Sequence, residues 1–151
     1  MRSEPWVLGT AIATLLAAAP ASAYTAYVSN EKDNTVTVVD TDRMEVVKTI
    51  KVGQRPRGIT ISHDGKFVYV CASDDDNIEI IDTATAEIVG SLPSGPDPEL
   101  FVLSPDGKTL YVANEDDGMV TVMDRASGEA VVIDPGDDAP RILKAIKEKK
   151  A

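Results

Sequence analysis

A step of 42 residues constrains this chain more than any other feature. Asp64-Gly65-Lys66 returns as Asp106-Gly107-Lys108, and Tyr-Val follows each time, at Tyr69-Val70 and Tyr111-Val112. The step extends beyond the turn, because Tyr27, Tyr69 and Tyr111 share it, as do Asp40, Asp82 and Asp124, and Glu45, Glu87 and Glu129. Val36, Ile78 and Val120 hold one apolar position of it. A repeat of this length describes a unit that buries its apolar face only against a neighbour, so a propeller blade or a solenoid unit comes before any other fold.

The first repeat contains four short runs rich in Val, Ile and Thr, "AYVSN", "TVTVVDT", "EVVKTIKV" and "RGITIS", separated by polar or Gly/Pro breaks. The second follows the same plan with "VYVCAS", "NIEIIDT", "EIVGSL" and "ELFVLS". Alternation within these runs marks strands with one face turned to a neighbouring unit, and the Asp-Gly dipeptides mark tight turns where glycine supplies a positive φ. The expected fold class is all-β, a partial β-propeller of about three four-stranded blades with a C-terminal helix. The expected divisions are a leader at 1–23, a first blade at 24–67, a second at 68–109, and an incomplete third at 110–151. In the third, "RILKAIKEKKA" replaces the fourth strand, and Ile142, Leu143 and Ile146 fit one helix face after Pro140. Pro140 itself keeps the step of Pro56 and Pro98.

"MRSEPWVLGTAIATLLAAAPASA" has Arg2 near its start, an apolar stretch, and Ala21-Ser22-Ala23 before Tyr24. This is the pattern of a secretory signal peptide, with an apolar run too short for a comfortable membrane span. The expected location is periplasmic or secreted, with no membrane contact after cleavage. Cys71 is the single cysteine, so no intrachain disulfide forms, and its place in a strand run suits a small packed residue. The net charge of -10 makes nucleic acid and anionic membrane poor partners, while a basic protein or a cation is permitted.

"AYVSNEKDNTVTVVDT", "VYVCASDDDNIEIIDT" and "LYVANEDDGMVTVMD", with "SPDGKTLYVAN" between them, resemble the YVTN-type β-propeller repeat. More narrowly, the stretch from "VGQRPRGI" through "LYVANEDD" is similar to exported propeller proteins associated with pyrroloquinoline quinone-dependent alcohol catabolism. The resemblance implies a periplasmic, non-catalytic propeller of about seven blades. Residues 128–150, "GEAVVIDPGDDAPRILKAIKEKK", also resemble the strand, turn and helix found early in metallo-β-lactamase-fold hydrolases. The metal-binding histidines of that family have no counterpart, since His63 is the single histidine.

One His and one Cys cannot build the usual zinc or iron ligand sets, so neither a catalytic residue set, a metal site nor a cofactor is expected. Asp40 and Asp82 close a strand, where a short carboxylate can accept from backbone amides of the following turn. The acidic loops "NEKDN" (30–34), "SDDDN" (73–77) and "NEDDG" (114–118) share a rim with "VGQRPRG" (52–58) and "SGPDPE" (94–99). The binding residues named on this rim are Arg55, Arg57, Asp74, Asp75, Asp76, Glu115, Asp116 and Asp117. Each has a plain alternative: acidic residues are good turn formers, and an arginine can bridge to the acid-rich loop of the adjoining blade.

The leading reading is an exported non-catalytic binding or scaffold module. Its alternatives are a propeller-type hydrolase or lactonase fragment, and a truncated or fused product with no independent function. Three repeat units are too few to close a ring of 4 to 8 blades, so self-association or completion by another chain is expected.

Overall fold

Alternating apolar and polar residues give each run one face to bury, and in the computed structural model these runs pair into three antiparallel sheets. The structure describes residues 24–134 and 136. The first sheet is β1 (Thr25–Asn30), β2 (Thr35–Asp40) and β3 (Glu45–Lys51), in that order. The second is β4 (Pro56–Ile61), β5 (Phe67–Ala72), β6 (Asn77–Asp82) and β7 (Glu87–Pro93). The third is β8 (Pro98–Leu103), β9 (Thr109–Asn114), β10 (Val120–Asp124) and β11 (Ala130–Ile133). This is a partial β-propeller, as the repeat predicts.

The sheets cut the repeat one strand away from the sequence windows. The run at β4, grouped above with 24–67, hydrogen-bonds to β5, and the run at β8, grouped with 68–109, to β9. The sheets therefore span 25–51, 56–93 and 98–133. The physical reason is that β3 and β7 are outer edges, so the loops after them cross to the innermost strand of the next sheet. The C-terminal helix expected from Arg141 onward and the leader at 1–23 lie outside the described residues. Of the stretch that resembles a hydrolase strand-turn-helix, the strand is β11, the outer strand of the third sheet.

Turn chemistry repeats with the strands. Ser62 Oγ donates to Asp64 Oδ1 at 2.6 Å and accepts from Phe67 N at 3.0 Å, while Gly65 takes φ +70°. Ser104, Asp106, Thr109 and Gly107 repeat this arrangement. Asp40 Oδ1 accepts from Asp42 N and Arg43 N, Asp82 from Ala84 N and Thr85 N, and Asp124 from Ala126 N and Ser127 N. These are the capped turns expected of a carboxylate at a strand end.

Packing between sheets supplies the core. Val36, Val38 and Ile50 of the first sheet meet Val68, Val70 and Ile81 of the second. Tyr69, Cys71 and Ile78 of the second meet Leu110, Val112 and Met123 of the third. Val36 and Ile78 are fully buried, whereas Val120, at the same repeat position on the outward face of the third sheet, is half-buried. Each fully buried Val or Ile contributes about 1.5–3 kcal/mol relative to exposure, so the two inter-sheet layers dominate the stability.

Candidate functional site: a charged rim

The loops that enter the innermost strands meet the loops between the next two strands on one rim. Arg55, in the loop before β4, has φ +54° and donates from its backbone N to Asn34 Oδ1 at 2.9 Å. Its side chain is thereby aimed at the acidic loops. Nη2 donates to both oxygens of Asp97 at 2.8 and 2.7 Å, and Nη1 to Asp74 Oδ1 at 3.0 Å. Glu31 and Glu115 stand 3.8 and 3.9 Å away. Asp97 is buried and Arg55 partly so, which strengthens a contact that water would otherwise screen.

Arg57, on β4, forms the second hub. Its Nη1 donates to Glu115 Oε2 at 2.7 Å, and its Nη2 pairs with Glu99 on β8. Both guanidinium pKa values are raised, Arg55 chiefly by its hydrogen bond to Asp97 and Arg57 by its hydrogen bond to Glu115. The two cations are thus engaged by five carboxylates drawn from the loops and strands of all three sheets.

The other sequence-predicted site residues do different work. Asp75 Oδ2 accepts from Gln54 N at 2.7 Å and holds the loop before β4. Asp76, at φ +52°, accepts from Asp97 N at 3.0 Å and so fixes the carboxylate that Arg55 binds. Asp117 accepts from Met119 N at 2.9 Å inside its own turn, and Asp116 is exposed. Asp97 and Glu99 were not singled out from sequence. A signal for them existed, since each stands one 42-residue step after an arginine, Asp97 after Arg55 and Glu99 after Arg57. Opposite charges at one repeat position become neighbours once units stack side by side.

The rim's cations and carboxylates meet as ion pairs and charged hydrogen bonds. Among the described residues no group of three or more His, Cys, Asp or Glu could hold a metal ion. His63 sits exposed in its turn beside Gly107. Cys71 is buried between the second and third sheets, and desolvation pushes its thiol up to about 12.

No curated protein matches the chain. Among solved structures it is similar to Kuenenia stuttgartiensis hydrazine synthase, with 30% identity and a TM-score of 0.66 over 71% of this chain and 31% of that one. It is also similar to dihydro-heme d1 dehydrogenase NirN in complex with DHE, with 27% identity and a TM-score of 0.63 over 76% of this chain and 24% of that one. The chain therefore spans less than a third of the length of either. The profile of a family described as "Lactonase, 7-bladed beta-propeller" matches residues 17–136, most of the chain, and the protein belongs to that family.

Proposed function

We propose that the chain is an exported, non-catalytic propeller module whose acidic rim docks a basic protein partner, in the periplasmic alcohol-oxidation setting implied by the pyrroloquinoline quinone-associated resemblance. The observation that carries this reading is the engagement of Arg55 and Arg57 by Glu31, Asp74, Asp97, Glu99 and Glu115, while Asp116 stays exposed. An anionic ligand would have to break these pairs. A cationic surface meets excess negative charge and gains on-rate from it.

The test is recovery of partners from periplasmic extract with the immobilised chain and with an Asp116→Lys/Asp117→Lys variant. A basic protein should be retained at low salt, released at high salt, and bound about tenfold more weakly by the variant. Recovery of abundant nonspecific proteins alone, equally by both forms, overturns the reading.

The family match favours a second reading, lactone hydrolysis. Hydrolysis of a simple lactone by the purified chain, abolished by a Ca²⁺ chelator and restored by Ca²⁺, would replace the docking role.

A further inference from the structure

The two layers between sheets are built on one repeat but are not equally full. Tyr27 and Tyr69 share a repeat position, and each packs against the layer between its own sheet and the next. Around Tyr69, Phe67 and Phe101 pack on that layer beside the buried Leu110. One 42-residue step earlier the same positions hold Thr25, Ile59 and Val68, so the bulk of an aromatic ring is missing. An open groove of about 200 Å³ lies there, lined by Thr25, Tyr27, Ile59, Thr60, Ile61 and Val68. It is continuous with the layer between the first and second sheets, because Tyr27 and Ile59 border both. Its place at the start of β1 and the end of β4 sets it away from the charged rim.

A cation is missing at the same spot. Arg125 Nη1 donates to the Tyr69 hydroxyl at 3.0 Å. Thr83 stands one step before Arg125, and the backbones match, since Thr83 N and Arg125 N donate at 2.9 Å to the carbonyls of Lys66 and Lys108. The Thr83 hydroxyl instead donates to the carbonyls of Gly65 and Lys66, at 2.8 and 3.1 Å. Among the described residues the Tyr27 hydroxyl is left with no hydrogen-bond partner. The carboxylate beside it is kept. Asp82 caps its own turn through Oδ1, and among the described residues its Oδ2 has no hydrogen-bond partner. Burial, and then the charge of Asp82, raise the Tyr27 pKa, so the phenol stays protonated at neutral pH.

We propose that this groove binds a small primary arylalkylamine, its ring in the space that Phe67 fills in the second layer and its ammonium in the place of the Arg125 guanidinium, beside Tyr27 and Asp82. The space suits a single ring, since an apolar cavity of about 150 Å³ holds benzene. The ammonium donates to the Tyr27 oxygen, as the guanidinium does to Tyr69, and meets the charge of Asp82. An anion would be repelled by Asp82, and a neutral hydrocarbon would leave the Tyr27 hydroxyl unpartnered. The site is independent of the acidic rim and of any partner docked there.

Calorimetric titration of the full chain at neutral pH tests this with benzylamine and with benzyl alcohol, its neutral counterpart. Benzylamine should bind with a Kd of about 1 mM or tighter, and benzyl alcohol about tenfold more weakly. Thr83→Arg, in an exposed turn, supplies the missing guanidinium and should weaken benzylamine about tenfold. Thr25→Phe supplies the missing ring and should weaken benzylamine to a similar degree. No binding of benzylamine, equal affinity for benzyl alcohol, or an unchanged benzylamine affinity in either variant overturns the proposal.

Discussion

Asn34, Asp76 and Gly118 stand one repeat step apart and take φ of 56°, 52° and 65°. Met44, Ala86 and Gly128 form a second such series at 54°, 54° and 72°, and Arg55 and Asp97 a third at 54° and 48°. The backbone thus repeats its left-handed turns where the residue does not, and this is why a positive φ was legible in the sequence only at Gly65 and Gly107, although the Asp40 and Asp82 turns themselves were expected. Met44 is 80% exposed and holds its conformation against its own Cβ. Left-handed backbone costs a non-glycine residue about 1–2 kcal/mol, partly offset by the entropy that glycine loses, so Met44→Gly should stabilise by about 0.5–1 kcal/mol in denaturant unfolding. The turn carboxylates behave differently. Hydrogen bonds from Ser62 and Ser104 hold the Asp64 and Asp106 carboxyls below their ordinary value. A depressed carboxyl contributes stability that is fully present above the unfolded pKa of about 4 and is lost as pH falls through the folded value. Asp64→Asn and Asp106→Asn should therefore lower the melting temperature at neutral pH, with the difference from wild type shrinking below pH about 4. A constant difference across that range would separate the effect from ionisation.

Strands were legible because alternation survives in nearly every run; their grouping into sheets was not. A connection of four residues, 52–55, looks the same whether it folds a hairpin or crosses to the next sheet, and only the pairing of β4 with β5 distinguishes them. The rim itself was legible, since strand direction places the acidic loops and the loop holding Arg55 on one side whichever sheet β4 joins. Asp97 and Glu99 escaped notice because their partners lie a full repeat away, at Arg55 and Arg57. Close approach of innermost strands yields a paired prediction. Gly58→Ala forces a methyl against the Glu99 backbone and should destabilise by about 1–3 kcal/mol. Gly90→Ala, on outer strand β7 with only Ile80 Cδ1 at 3.9 Å, should be neutral or stabilising by about 0.5–1 kcal/mol. Urea titration of both variants measures the contrast.

Among the described residues, stability rests on two layers between three sheets, so loss of one fully buried side chain is felt across all three sheets. Ile78→Ala should cost about 2–5 kcal/mol, read from the denaturant midpoint. The same layer contains Cys71, with no exposed surface and a thiol held near 12 by burial. Almost none of it is thiolate at neutral pH, and an alkylating reagent reaches it only when the second and third sheets part. The labelling rate is then a stopwatch for that parting: slow in the native chain, faster in Ile78→Ala, and proportional to the fraction of time the layer stands open. A sulfur atom kept away from all chemistry thereby becomes the molecule's own gauge of how firmly one blade grips the next.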